Sequence, residues 1–346
     1  SVGLNALGLV LFAEDSGMAS VSLSFTVSMM SFLPWFFKSL VDTEVSMSST
    51  QRLFEYTQLQ PEGPLECKEL KVHSGSIEFS NVTMRYREHL EFALLGCSFR
   101  VEAGSKVGIV GRTGCGKSTL LGVLFRSVPL FDGKVYIDGQ DTNTVGLHDL
   151  RKKISIIPQA PFLFSGTLRK NLDPFDEFEE DDLWDALECV DLYNYFQNQN
   201  LQLETKIDSN SAALSVGQKQ LLCLARAVLR RNKILVLDEA TAFVDLNTDQ
   251  FIHETIKEKF ADCTVLTIAH RLHSVIESDA IIVMDKGRVK EHGRPNELIS
   301  RKGTMLQKFV EEYGNKEATR LRRATTRANK PKKSKAVQKL NTKVLG

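Results

Sequence analysis

The chain has 346 residues, 42% of them hydrophobic, with 44 Lys and Arg against 43 Asp and Glu; length and apolar content suit roughly two domains with buried cores rather than a disordered chain. The charge is uneven: residues 314–346 hold eleven Lys or Arg and a single acid, Glu317. The remainder is therefore net acidic, which argues against a nucleic-acid-binding fold, because such a fold needs its basic surface on the folded body. The six cysteines are scattered, with no CxxC pair and no Cys/His zinc spacing, the pattern of free thiols in a reducing compartment.

Val2–Phe12 is apolar but too short to span a bilayer, and the chain starts at Ser1 without an initiator Met. Such a start is expected of a C-terminal piece that begins near the end of one membrane helix. Ser16–Phe37 contains no charged side chain and is long enough to cross about 30 Å of hydrocarbon as a helix. A signal peptide would carry a basic start and a cleavage site, and a buried soluble helix would be shorter, so a transmembrane span is predicted. Glu14 and Asp15 precede it while Lys38 and Arg52 follow, which predicts a cytoplasmic C-terminal side. Ser20, Ser24, Ser28 and Ser31 share one helix face, a stripe suited to close helix packing or to a substrate path.

Val41–Tyr56 turns amphipathic, and Pro61-Glu-Gly-Pro64 ends any helix there. Strands are expected at Ser76–Phe79, Ala93–Val101 and Lys106–Val110, and buried parallel strands at Ile234–Leu237, Thr264–Ile268 and Ala280–Met284. Asp149–Arg231 reads largely as helices, including Asp181–Val190 and Gln218–Arg230. The alternation predicts an α/β fold with a helical insertion ahead of the Ile234 strand.

Gly111-Arg112-Thr113-Gly114-Cys115-Gly116-Lys117-Ser118 follows an apolar strand and opens a helix, the setting a phosphate-binding loop requires. Its glycines let backbone N–H groups close around phosphate oxygens, and the helix N-terminus adds favourable partial charge. Lys117 is expected to reach the β- and γ-phosphates, Ser118 to ligate Mg²⁺ and Thr119 to meet the α-phosphate. Cys115 reads as a small tolerated residue, with thiol sensitivity a hypothesis because an anion-binding loop lowers a thiol's pKa. Ile234-Leu-Val-Leu-Asp238-Glu239 puts two carboxylates at a strand end, where they call for a cation: Asp238 to hold Mg²⁺, and Glu239 facing the attacking water. His270 lies just past the Thr264 strand, on the side where ligands gather in such sheets.

Leu214-Ser215-Val216-Gly217-Gln218 lies between the phosphate loop and the acidic strand and resembles the LSxGQ signature of ATP-binding-cassette (ABC) ATPases. With Tyr86 upstream and His270 downstream, motifs in ABC order extend the resemblance over about 240 residues, Ser76 to Tyr313. Gly146-Leu-His-Asp-Leu-Arg-Lys-Lys153, Ser165–Phe175 and Cys223-Leu-Ala-Arg226 are similar to subfamily C, the multidrug-resistance-associated branch in its short form, and to its second nucleotide-binding domain.

The resemblance implies a phosphate-loop NTPase cassette, with a mixed sheet core and a helical subdomain, preceded by a transmembrane α-helix. It implies residues 1–40 as the end of a transmembrane domain with its final helix at about 16–37, a linker at 41–75, a nucleotide-binding domain at 76–313 and a basic, disordered tail at 314–346. Tyr86 would stack on adenine, Gln159 would sense Mg²⁺ and water, Glu239 would be the general base, and His270 would contact the γ-phosphate. Asp245 would lie in the loop that communicates between two sites. Leu214–Gln218 would meet an ATP held by a partner cassette, the first nucleotide-binding domain, with Val216 standing where the usual motif has glycine. The implied function is ATP-driven efflux of organic anions, conjugates or xenobiotics across a plasma or organelle membrane, with ATP and Mg²⁺ as cofactors and no nucleic-acid partner. A channel or channel regulator of the same subfamily and a soluble ABC ATPase are the alternatives. The tail is expected to be solvated or drawn to a lipid surface.

Overall fold

The computed structural model describes residues 16–59, 62–63, 67–199, 202–207, 214–238, 245–269, 272 and 275–312. Val2–Phe12, Pro61 and Pro64 of the Pro61–Pro64 break, and the basic tail lie outside the described residues. The chain divides into two compact units between Glu62 and Gly63.

Among the described residues, the first unit holds one helix, α1 (Ser16–Thr57), of 42 residues, or about 63 Å at 1.5 Å per residue. It is long and apolar enough to cross a membrane, and large side chains such as Phe25, Trp35 and Leu40 lie exposed along it. The helix continues unbroken through the amphipathic stretch after Phe37. No Gly or Pro interrupts 38–57, and the hydroxyls of Thr43, Ser46 and Thr50 donate to the carbonyls four residues back at 2.7, 2.8 and 3.0 Å. In the serine stripe, Ser31 donates to the Val27 carbonyl at 3.1 Å. Pro34 sits inside the helix, where its missing N–H removes one bond of the ladder.

The second unit is built on a six-stranded sheet of order β12-β11-β3-β10-β9-β6. These strands are β3 (Lys106–Gly111), β6 (Ile154–Ile157), β9 (Ile234–Asp238), β10 (Thr264–Ile268), β11 (Ala280–Asp285) and β12 (Arg288–Gly293). All neighbours are parallel except the β11–β12 pair. Alternation divides the strand side chains between the faces. Ile109, Ile234, Val236, Leu266 and Ile268 join one core cluster, whereas Leu235, Leu237 and Val265 join another. Each such fully buried aliphatic side chain contributes about 2 kcal/mol.

Against the first face pack helix α2 (Lys117–Leu124) and a four-stranded antiparallel sheet of order β2-β1-β4-β5. Its strands are β1 (Ile77–Met84), β2 (Leu94–Val101), β4 (Asp132–Ile137) and β5 (Gln140–Asp141). Phe79 and Phe99 stack at 4.5 Å across the β1–β2 pair. Asp138, in the β4–β5 turn at φ 48°, ties this sheet to residues 73–76. Its carboxylate accepts from the N–H groups of His73, Ser74, Gly75 and Ser76 at 2.7–3.0 Å and from the Ser74 and Ser76 hydroxyls. Partial burial pushes that carboxyl up, but the bonds from Gly75, Ser74 and Ser76 outweigh it and hold the group well below the usual carboxylate range.

On the other face lies a helical arm: α4 (Leu168–Leu172), α5 (Glu180–Cys189), α6 (Tyr193–Asn198) and α7 (Val216–Arg230), with the short pair β7 (Gly166–Thr167) and β8 (Lys206–Ile207). α3 (Leu147–Lys152) comes before β6 in the chain, and α8 (Leu246–Lys259), α9 (Pro295–Ser300) and α10 (Met305–Glu312) follow later. The helical reading of Asp149–Arg231 is corrected at its start: Ile154–Ile157 is the edge strand β6, paired with β9. Four residues between Lys153 and Pro158 are too few for a helix, and the neighbouring strand supplies the partner that local pattern cannot reveal.

Candidate nucleotide site

Parallel pairing brings the carboxyl ends of four strands to one edge of the sheet. Ile268 is level with both Ile109 and Asp238, and Ile157 is level with Leu237. The loop after β3, the carboxylate of Asp238 and the exposed Gln159, two residues beyond β6, therefore share that edge. Ligands collect in such a crevice. Ala269 ends the described stretch after β10. Glu239 and His270 follow Asp238 and Ala269 in sequence and lie outside the described residues.

The loop itself is built on glycine. Gly114 and Gly116 take φ 78° and 100°, left-handed values that cost other residues strain. Gly111 is packed so closely on the Met284 carbonyl and the Cys115 thiol that a Cβ has no room. Lys117 is buried, and its ammonium donates to the Gly111 and Arg112 carbonyls at 2.9 and 3.1 Å. Arg112, Thr113 and Ser118 are exposed, while Thr119 is buried on the first turn of α2. The Tyr86 hydroxyl shares a 3.0 Å hydrogen bond with the Thr119 hydroxyl, so the sequence-predicted adenine and α-phosphate residues are in direct contact.

At Cys115 the structure fits the reading of a small tolerated residue and speaks against the hypothesis of a sensitive thiol. Its thiol points into the core and is 4% exposed. Burial pushes it above the ordinary thiol value, and the nearby Lys117 charge does not reverse the effect. Being in the loop is not the same as facing its anion.

Ser215 opens α7 with a reciprocal cap. Its hydroxyl accepts from the Gln218 N–H at 3.2 Å, and the Gln218 side-chain oxygen accepts from the Ser215 N–H at 2.8 Å. Leu214 is buried in the arm, Gly217 is half-buried, and Val216 is 48% exposed at the first helical position. The pentapeptide thus presents a helix N-terminus with a branched side chain at its mouth. Asp245 caps α8, accepting from the Thr248 N–H at 3.1 Å and its hydroxyl at 2.9 Å, and these bonds hold its carboxyl below the usual range.

Sequence reasoning gave no role to the groups that join the Gln159 loop to the arm. Gln220, 1% exposed, donates to the Pro158 carbonyl at 3.0 Å. Arg226 donates to the Phe162 carbonyl at 2.7 Å and to the carbonyl and side-chain oxygen of Asn171 at 2.6 and 3.0 Å. Burial lowers the Arg226 pKa from its ordinary value. The available signal was a guanidinium and an amide within the otherwise apolar inner face of α7, since buried polar groups need partners. A separate open groove on the arm, lined by Glu180, Asp181, Trp184, Glu188 and Glu204, shares no residue with the phosphate loop. Its acidic wall repels a triphosphate.

A glycine-lined loop running from a parallel strand into a helix, with an acidic strand two places across the sheet and a capped helical arm, defines a phosphate-loop ATPase cassette. Comparison agrees. The ABC transporter domain family matches residues 94–242. The chain is 45% identical over 323 residues to ATP-binding cassette sub-family C member 4 of Homo sapiens, covering 91% of this chain and 24% of that protein. It is 46% identical to the probable multidrug resistance-associated protein lethal(2)03659 of Drosophila melanogaster, covering 87% and 22%, and 42% identical to sub-family C member 2 of Rattus norvegicus, covering 87% and 20%. A bacterial Atm1-family ABC exporter solved with ATP bound superposes with a TM-score of 0.71 at 29% identity, covering 87% of this chain and 53% of that one. The chain belongs to the ABC transporter family, in subfamily C, and carries its ATP-binding ATPase cassette. It spans between a fifth and a quarter of the length of these curated relatives.

Proposed function

We propose that the chain is the last membrane helix and second nucleotide-binding domain of an exporter that uses ATP to drive organic anions, conjugates or xenobiotics out across a membrane. The single observation that carries this reading is the meeting of the phosphate loop, Asp238 and Gln159 at one edge of the parallel sheet. In this reading residues 1–40 end the transmembrane domain, 41–75 link it to the cassette at 76–313, and 314–346 form a basic tail. The helix α1 supports the membrane assignment, because Phe32, Trp35, Phe36 and Phe37 cluster just before Lys38, as aromatic residues do at a membrane–water boundary.

The family resemblance supports a division of labour among the site residues. Lys117 neutralises the β- and γ-phosphates, Thr119 meets the α-phosphate, Tyr86 stacks on adenine, and His270 contacts the γ-phosphate. Glu239 takes the proton of the attacking water. Ser118, Gln159 and Asp238 offer a hydroxyl, an amide and a carboxylate oxygen, donors suited to Mg²⁺. Among the described residues no group of three or more His, Cys, Asp or Glu gathers. Mg²⁺ when bound neutralises charge on the phosphate oxygens.

The Leu214–Gln218 motif serves a second ATP, held by the first nucleotide-binding domain. Val216 makes that half-site the weaker one, while Glu239 and His270 leave this chain's own site equipped for turnover. The test is ATP-dependent uptake of labelled organic anions into inside-out vesicles carrying the full-length protein, beside Glu239→Gln. Uptake that Glu239→Gln abolishes, with ATP trapped, supports the reading. ATP-gated currents without uptake support a channel, and undiminished hydrolysis in Glu239→Gln removes the assignment of the base.

A further inference from the structure

We propose that Arg85 is a positioning residue for the adenine end of the nucleotide, acting through its neighbour Tyr86; this rests on the reading that Tyr86 stacks on the base. β1 ends at Met84, and the chain loops out until the Ala93 N–H returns to the Met84 carbonyl at 2.8 Å. Tyr86 is on this loop and is 55% exposed, so little packing holds its ring. Arg85 is half-buried and braces the loop from within. Its guanidinium carbon lies 5.3 Å from the Phe92 ring centre and 4.8 Å from that of Phe131, two rings that meet edge to face at 5.2 Å. One of its N–H groups donates to the Glu88 carbonyl at 2.8 Å.

These contacts join three segments. Glu88 is on the outgoing limb of the loop and Phe92 on the returning limb. Phe131 belongs to the stretch between α2 and β4, and its N–H donates to the Thr83 carbonyl at 2.9 Å. A planar guanidinium can lie over an aromatic ring while donating in its own plane, which an ammonium cannot do. The Tyr86 hydroxyl meets Thr119 on α2, so the ring is held at its tip by the phosphate-loop helix and at its root by Arg85. Phe131 is 60% exposed, so it gains little from burial, and its contacts with Arg85 and Phe92 are what join its ring to the loop.

The experiment measures competition of ATP, and separately of inorganic tripolyphosphate, against a photoactivatable ATP analogue in membranes carrying the full-length protein, with the label read on this cassette. Arg85→Ala is expected to weaken ATP roughly five- to tenfold, since two cation–π contacts and a hydrogen bond are lost, and to leave tripolyphosphate and kcat within about twofold. Arg85→Lys restores part of the loss. Tyr86→Ala weakens ATP at least as much, and Arg85→Ala adds nothing further to it. Tyr86→Ala with unchanged ATP affinity removes the adenine reading and this inference together. If Tyr86→Ala weakens ATP but Arg85→Ala does not, the inference alone fails. It fails also if Arg85→Ala weakens tripolyphosphate as much as ATP, or if the two substitutions add fully, because Arg85 then acts other than through the ring.

Discussion

The Gln220 side-chain amide donates to the Pro158 carbonyl at 3.0 Å, joining the helix that begins at Ser215 to the loop that carries Gln159. Gln220 is buried and Pro158 half-buried, so breaking the bond on one side leaves a partly buried carbonyl with a lost partner. Gln220→Leu is expected to cost about 1–3 kcal/mol. In the intact transporter, cargo stimulation of ATP hydrolysis should fall while basal ATP affinity stays near wild type. Stimulation that survives the substitution would show that this bond does not connect loop and arm.

Val216 stands half-exposed at the first position of α7, and the Ser215–Gln218 cap forms from the flanking residues. Val216→Gly should keep the cap while removing a branched side chain from the mouth of the helix, at a helix cost of no more than about 1 kcal/mol. The expected gain is roughly threefold in ATP affinity at the partner cassette, under 1 kcal/mol. Photolabelling of that cassette at limiting ATP reads the change. Equal or weaker labelling would mean that the valine does not obstruct.

Asp138 gives a pH dependence of defined sign. Its folded carboxyl titrates below the unfolded value of about 3.9, so its contribution is whole above about pH 4 and is lost as pH falls through the folded value. Asn tolerates the left-handed backbone at this turn, so Asp138→Asn isolates the charge. A loss of about 1–2 kcal/mol is expected at pH 7, discounted for the exposed part of the site. The gap between wild type and variant in thermal melting should narrow toward pH 3; a constant gap would contradict the linkage.

Thiol chemistry separates Cys115 from Cys67, which are buried and exposed respectively. A maleimide at pH 7 should modify Cys67 first and leave Cys115 largely intact, with ATP binding undiminished. Peptide mapping by mass spectrometry decides the order, and equal labelling rates would overturn the burial argument.

Much of this arrangement was legible in the chain. Ile234, Thr264 and Ala280 begin apolar runs bounded by polar residues, and each run is a strand of the parallel core. The glycines of 111–116 announced their turn because backbone conformation there is set by residue type. What stayed hidden depends on partners distant in sequence. Ile154–Ile157 becomes a strand only because β9 lies beside it, 80 residues away in register. Arg226 reaches Asn171 and Phe162 across more than 50 residues, and the inward Cys115 thiol occupies space that a Cβ on Gly111 would take. The helix through Val41–Tyr56 was obscured by its change of polarity, which altered its surroundings but not its backbone.

The Lys106 ammonium at the foot of β3 donates to the carbonyls of Phe260, Ala261 and Cys263 at 2.8, 2.8 and 2.5 Å, and so grips the far end of α8. That helix starts at the Asp245 cap and runs 14 residues, about 21 Å at the usual rise. It is a rod bolted at one end to the strand that feeds the phosphate loop. Ile252 and Ile256 are buried along its length, so the strand that feeds the phosphate loop and the tip at Asp245, which the family resemblance assigns to conversation between two ATP sites, belong to one packed body.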